Sequence, residues 1–134
     1  MSYSSEEKIF AGISHLGILF SWIGIIVALV IFITQKDKSS FVGNHAKQAL
    51  GYQICLLIVF SLLSFFVAGG VLSSLIIGGP GAVGLLPLAG AAGTFGIIGL
   101  LRLAIIIYAV VAAFNAFNGN KFKYVLIGDF VDKV

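Results

Sequence analysis

Two long stretches of the chain carry no charged side chain. No Asp, Glu, Lys or Arg lies between Lys8 and Lys36, or between Lys47 and Arg102. Only 10% of the 134 residues are charged, whereas about a quarter of the residues of a soluble domain are. Stretches of this length are typical of helices that cross a bilayer, because a helix satisfies its own backbone groups. The sequence therefore predicts an integral membrane protein of the all-α class.

Three apolar segments define the predicted spans, at about residues 9–34, 50–77 and 95–116. The first would be ~39 Å long as one helix, against ~30 Å of hydrocarbon. Two alternatives stay open for it, a single tilted helix or two short helices broken near Ser21–Gly24. We expect one membrane domain over residues 1–134, a bundle of three to four transmembrane helices with an amphipathic C-terminal segment.

Glycine, proline and asparagine set the expected helix boundaries. Asn44 is a good N-cap, so we expect the second long helix to begin at His45 and to end near Gly69–Gly70. Six glycines and two prolines between Gly78 and Gly93 predict that no regular helix runs throughout that stretch. The sequence Asn118–Asn120 is expected to stop the last helix.

The lysines predict how the chain is threaded. They flank the predicted spans in two places and are missing from the connection between them, at Lys36, Lys38, Lys47, Lys121 and Lys123. By the positive-inside rule, residues 35–49 and the C-terminus of a multi-pass protein of the cell membrane would face the cytoplasm. The N-terminus would lie outside if the first segment crosses once, and inside if it forms a broken hairpin. Its Glu6 and Glu7 do not fit a signal peptide, so we expect this segment to be retained.

Polar side chains on the second long helix are candidate functional residues. His45, Gln48 and Tyr52 fall at i, i+3 and i+7 and share one face, close to Lys47 and Gln53. This stripe is either an interfacial anchor or a contact surface for another helix or subunit. Gln53 favours the contact surface, because a buried amide needs a partner, and we expect Gln53→Leu to weaken assembly.

Two ionisable residues inside the apolar segments are further candidates. His15 could relay protons or form a hydrogen bond to a neighbouring helix. Arg102 could reach the nearer interface, pair with lipid phosphate or bind loop carbonyls. It could also line a path for ions or substrate, or pair with an acid on another subunit.

Residues that carry out reactions are missing from the sequence. We expect no catalytic residue, no cofactor and no metal site, and Cys55 is expected to act as a small apolar residue. The net charge of +3 is too small to indicate nucleic acid. The leading hypothesis is a non-enzymatic accessory subunit, surrounded by membrane lipid, that assembles with itself or with other membrane protein subunits. The alternatives are a small pore or transporter with Arg102 lining the path, and a holin-like permeabiliser.

The stretch FVGNHAKQALGYQI at residues 41–54 resembles the signature of a bacterial and archaeal family of small membrane proteins, usually described as of unknown function. The tail AFNGNKFKYVLIGDFV, the HLG at His15 and the later QKDKSSF are similar to the same family, so the resemblance covers nearly the whole chain. Ser40 and Val125 stand where proline is expected, and Arg102 has no counterpart.

That family is distantly similar to the import-channel subunit of the chloroplast inner-envelope translocon. The resemblance implies a bundle of three or four membrane helices and, for the chloroplast relative, protein translocation. The positions that carry the resemblance are Phe41, His45, Lys47, Ala49, Leu50 and Gln53, together with Gly119, Tyr124 and Gly128 in the tail.

Overall fold

The computed structural model describes residues 3–77, 85–125 and 127–133, and all regular structure in these ranges is helical. The predicted all-α class is therefore confirmed. The described residues form five α-helices, with a short 3₁₀ turn at Gly17–Phe20 between the first two. Their bounds are α1 Ser5–Leu16, α2 Trp22–Gln35, α3 Ser40–Ile77, α4 Leu85–Phe117 and α5 Gly128–Lys133.

The chain divides into two compact units. Unit 1 comprises Met1–Leu57 and Ile106–Val134, and unit 2 comprises Ile58–Ile105. Unit 1 therefore holds α1, α2, α5 and the parts of α3 and α4 that lie outside unit 2. Every described charged residue except Arg102 belongs to unit 1.

The first apolar segment is broken into two helices, which is the second of the two alternatives above. Ser21 has φ 56° and separates the 3₁₀ turn from α2. A positive φ is uncommon for a residue other than glycine and reverses the local direction of the chain. After this turn, the backbones of Gly17 and Gly24 lie in direct contact. The absence of both side chains allows this close approach.

Helix α3 begins earlier than the sequence predicts. The expected start at His45 is wrong, because the helix already begins at Ser40 and Asn44 lies inside it. Ser39 provides the cap instead, since its Oγ accepts the N–H of Val42 at 3.4 Å. Several residues in a row are compatible with an N-cap, and the hydroxyl that is bonded decides between them.

The glycine and proline signals in the middle of the chain also mislead. Helix α3 does not end near Gly69–Gly70 but continues to Ile77, and α4 begins at Leu85 rather than near residue 95. Pro87 is the third residue of α4, in the first turn, where its missing N–H costs no hydrogen bond. The expectation of an irregular stretch is thus wrong for residues 85–93, and residues 78–84 lie outside the described part of the chain.

The expected stop at Asn118–Asn120 is confirmed. Gly119 has φ 76°, and its N–H donates to the carbonyl of Ala116 at 2.9 Å. The N–H of Asn120 donates to the carbonyl of Asn115, also at 2.9 Å. This pair of bonds is the Schellman motif, which needs the left-handed conformation that glycine adopts without strain.

Small residues form the core of unit 1. One face of α4 is completely covered along Ala109, Ala112, Ala113 and Ala116. Ala116 packs in a cluster with Ala11, Phe41 and Ala46 from α1 and α3. Short side chains let the helix backbones approach closely, which favours dense packing between helices that have few polar groups.

Two helical stretches in the described residues are long and apolar enough to cross a membrane, Ser40–Ser73 and Gly93–Phe117. The protein covers little of their most apolar parts, and the exposed fractions of Phe65 and Phe66 are 74% and 71%. Helix α2 has 14 residues, or about 21 Å, and is shorter than the hydrocarbon layer. A count of three to four spans is thus not confirmed.

We predict that Gly24→Ala destabilises unit 1, because the new Cβ would collide with the carbonyl oxygen of Gly17. Neither group is the end of a flexible side chain, so we expect a loss of about 1–3 kcal/mol, typical of overpacking. Thermal unfolding in detergent, followed by the circular dichroism signal, measures the change.

Gly96→Ala is the matched control, since no atom of the described residues lies within 4 Å of the Cβ that it adds. Alanine favours a helix over glycine by about 0.5–1 kcal/mol, so this variant should be neutral or slightly more stable. Equal destabilisation by both variants would contradict the close contact between Gly17 and Gly24.

Candidate functional site

Four strongly buried polar side chains of unit 1 meet at one place. Three of them are at most 2% exposed, namely His15 near the end of α1, His45 in the first turns of α3 and Tyr124 in the segment after α4. Gln48, one turn after His45, is 3% exposed. In a chain with so few polar groups, each of these must find a partner inside the protein or lose the free energy of its hydration.

The two histidines and the tyrosine form a chain of hydrogen bonds. His45 Nε2 lies 3.1 Å from the carbonyl oxygen of Asn120. His15 Nε2 lies 3.0 Å from His45 Nδ1, and His15 Nδ1 lies 3.0 Å from the Tyr124 hydroxyl. All four ring nitrogens are therefore bonded, and three segments far apart in sequence are joined.

The direction of every bond follows from the carbonyl at the end. A carbonyl oxygen only accepts, so His45 Nε2 must carry a proton and, in a neutral ring, Nδ1 must accept. His15 Nε2–H then donates to His45 Nδ1, and the remaining His15 Nδ1 accepts the O–H of Tyr124. With both imidazoles neutral, each is protonated on Nε2, and every donor in the chain faces an acceptor.

Gln48 holds the C-terminal segment against α3. Its Nε2 donates to the carbonyl of Gly128 at 3.1 Å and to Asp132 Oδ1 at 2.7 Å. Its Oε1 accepts the N–H of Tyr124 at 3.4 Å. A Cβ on Gly128 would press into Lys123 and Gln48, so glycine is required where this segment crosses α3.

An ion-paired lysine closes the outside of the same segment. Lys123 Nζ lies 2.6 Å from Asp132 Oδ2 and also pairs with Asp129. The hydrogen bond from Lys123 is the main reason why the pKa of Asp132 is lowered, and bonds to the two carboxylates raise the pKa of Lys123. These groups are exposed, and pairs of this kind contribute little to stability.

Aromatic rings pack against the Tyr124 ring. The Tyr52 ring stacks on the Tyr124 ring with centroids 3.9 Å apart, and the Tyr108 ring meets it edge-on at 5.3 Å. Burial raises the pKa of Tyr124, so its hydroxyl remains a donor to His15. The predicted C-terminal amphipathic segment is therefore partly inserted in unit 1, with Tyr124 and Val131 buried and Val125 and Phe130 exposed.

The structure brings most of the candidate residues to this site. His15, His45, Gln48 and Tyr52 all belong to it. The stripe on α3 thus contacts other segments of the same chain, with His45 and Gln48 buried and Tyr52 partly exposed. Lys47 lies half-buried beside the site, and its positive charge contributes to the low pKa of Asp132.

Gln53 and Arg102 have other surroundings. Gln53 Nε2 donates to the carbonyl of Ser14 at 3.0 Å, and its buried Oε1 has no partner among the described residues. The predicted partner of this amide is therefore α1 of the same chain. Arg102 belongs to unit 2, is exposed, and lies with its guanidinium carbon 5.4 Å from the Phe60 ring centroid.

Several partners in the site could not be assigned from residue spacing. These partners lie more than 70 residues after the side chains that they bind, and they are Tyr124, Gly128, Asp132 and the carbonyl of Asn120. Tyr124 and Gly128 stood out only as parts of the family pattern in the tail. Among the described residues no three His, Cys, Asp or Glu side chains are grouped so that they could hold a metal ion.

The structure has long helices with exposed apolar faces and a small unit held together by buried hydrogen bonds. These features are typical of a helical membrane protein. Residues 6–131 match the magnetosome magnetite crystal formation protein family. The match covers most of the chain, which therefore belongs to this family. The predicted membership of a family of small bacterial membrane proteins is confirmed.

No curated protein matches the chain, and no solved structure does. The resemblance to the chloroplast import-channel subunit therefore gains no support.

We predict that Tyr124→Phe destabilises the protein by about 1–3 kcal/mol, because it leaves His15 Nδ1 buried without a donor. Tyr108→Phe is the control. It also removes a hydroxyl, but one that accepts the exposed N–H of Val125, which water can replace. Chemical or thermal unfolding in detergent should show a clearly larger loss of stability for Tyr124→Phe, and equal losses would contradict a stabilising buried hydrogen bond between Tyr124 and His15.

Proposed function

We propose that this protein is a non-enzymatic integral membrane subunit that assembles with itself or with other membrane proteins. The observation that supports the proposal most is the use of its buried polar side chains. His15, His45, Tyr124 and Gln48 are all engaged in bonds that hold the fold together. Groups with such fixed partners position chain segments, whereas a catalytic group needs an accessible atom near substrate.

The same hydrogen-bond chain argues against a proton relay. A relay must pass a proton on at both ends, and this chain ends at the carbonyl of Asn120, which has no proton to give. The histidine pair therefore holds α1, α3 and the C-terminal segment together through hydrogen bonds. No contact of Arg102 indicates a pore, since it is exposed beside Phe60. We therefore propose neither a pore nor a translocon-like role for this chain.

We further propose that both chain ends and residues 35–49 face the same side of the membrane. In unit 1 the Tyr3 ring stacks on the Phe41 ring with centroids 3.9 Å apart, and the Ser39 hydroxyl donates to the Glu7 carboxylate. Helices α1 and α2 would then enter the bilayer as a short hairpin without crossing it, and α3 and α4 would be the two full spans. The lysines of residues 35–49 and of the tail support the proposal that this side faces the cytoplasm of a cell-membrane protein.

This topology predicts that peptide tags at the two ends behave alike. In inverted membrane vesicles, an added protease should remove both tags, and in intact spheroplasts it should remove neither. Removal of only one tag in either preparation would mean that the first apolar segment crosses the membrane an odd number of times.

Assembly would use the uncovered faces of the spans, because the polar stripe of α3 is buried within the chain. In unit 2, no described atom lies within 4 Å of a Cβ built at Gly93, Gly96 or Gly99. Such small residues in a row allow another helix to approach closely. Purification in a mild detergent followed by native mass spectrometry should detect a stoichiometric homo-oligomer or a complex with another subunit.

Gly96→Leu should dissociate this assembly by blocking close approach, and the conservative Phe95→Leu on the neighbouring exposed position should leave it intact. A wild-type protein that remains a monomer with no co-purifying subunit would refute the assembly role. An assembly that tolerates Gly96→Leu would place its interface elsewhere.

Family membership favours a more specific role as a second candidate. The family is described by magnetite crystal formation in magnetosomes, so the chain could serve as a membrane subunit of a mineral-forming compartment. Expression in a magnetosome-forming bacterium that lacks its own family member tests this role. Crystals of restored size in electron micrographs would support it, and unchanged defective crystals would reject it without affecting the assembly proposal.

A further inference from the structure

A pocket of about 230 Å³ lies in unit 1, next to the buried histidine pair. Tyr3, Phe41 and Phe122 contribute aromatic walls, and His45 and Gln48 form part of its lining. Its polar rim consists of Ser40, Asn44, Lys121, Lys123 and Asp132. The pocket therefore combines apolar walls with a charged rim at the point where the long apolar helix α3 begins.

Most polar groups of the pocket are already bonded within the protein. Both ring nitrogens of His45 are engaged, and the amide of Gln48 binds Gly128 and Asp132. The two oxygens of Asp132 accept from Gln48 and Lys123. These groups close the lining and leave little for a ligand to bind.

The remaining groups of the rim are Lys121, Asn44 and Ser40. Among the described residues Lys121 has no acidic partner, whereas Lys123 is paired with two carboxylates. Lys121 and Asn44 are exposed and can turn toward the pocket. An ammonium group, an amide N–H₂ and a hydroxyl are donors that suit an anion with several acceptor oxygens.

We propose that this pocket binds a phosphate-bearing anion, with Lys121 as the principal charged contact. The phosphate comes either from an anionic phospholipid headgroup or from a free phosphate. Aromatic walls and the nearby start of an apolar helix suit the headgroup, whose glycerol and first acyl carbons need an apolar surface. The headgroup source rests on the membrane location proposed above, but the free-phosphate source does not.

The test uses the full chain in a neutral detergent, supplemented with phosphatidylglycerol or with phosphatidylcholine. Native mass spectrometry counts the lipids that each protein retains. We expect the wild type to retain one phosphatidylglycerol and at least fivefold less phosphatidylcholine. Lys121→Ala should reduce the retained phosphatidylglycerol at least fivefold, and Lys121→Arg, which keeps the charge, should restore most of it.

Lys38→Ala is the matched control, because Lys38 is an exposed lysine outside the pocket. It should retain phosphatidylglycerol like the wild type. Equal losses for Lys38→Ala and Lys121→Ala would mean that the lipid responds to the overall charge, and would overturn the site.

A separate measurement distinguishes the two sources of phosphate. Inorganic phosphate, added without lipid, should leave the unfolding temperature nearly unchanged if the ligand is a headgroup. A rise that depends on Lys121, combined with no retained phosphatidylglycerol, would assign the pocket to free phosphate. If neither probe depends on Lys121, the pocket does not bind phosphate and the proposal is wrong, whatever the assembly state of the protein.

Discussion

The structure of unit 1 depends on one carbonyl, that of Asn120, which accepts from His45 and thereby sets the proton positions of three side chains. Few other polar groups lie in this part of the protein. An imidazole nitrogen left buried without a hydrogen-bond partner would therefore destabilise the fold by about 1–3 kcal/mol. The satisfied chain therefore selects one arrangement of α1, α3 and the C-terminal segment. Apolar packing alone would specify these positions less strictly, because Ala and Leu surfaces fit together in many registers.

The class of fold and the location of its polar site could be predicted, because both follow from local properties of the sequence. Uncharged stretches indicate membrane helices, and the spacing of His45, Gln48 and Tyr52 places them on one face of α3 whatever the rest of the chain does. The partner of that face depends on tertiary structure. The sequence favoured a contact surface for another helix or subunit, and the contact turned out to be with α1 and with the tail of the same chain.

Helix boundaries were predicted less well, and the errors have a common physical cause. Glycine and proline weaken helices in water, where a broken helix bonds its free N–H and C=O groups to solvent. A bilayer offers no such partners, so a helix continues through Gly69 and Gly70 because breaking it would cost more than glycine does. The signals that held are the ones that create specific bonds, such as the left-handed Gly119 with its two backbone bonds.

The two units also differ in the number and use of their polar side chains. Unit 1 uses its buried side chains His15, His45, Gln48 and Tyr124 to bind its own segments, and Lys121, Asn44 and Ser40 lie on the rim of its pocket. Unit 2 has exposed apolar faces and exposed glycines. Its single described charged residue is Arg102, which lies over the Phe60 ring. A helix surface of this kind is stable next to lipid or next to another helix. The proposed recognition of a polar ligand therefore falls to unit 1, and the proposed association within the membrane to unit 2.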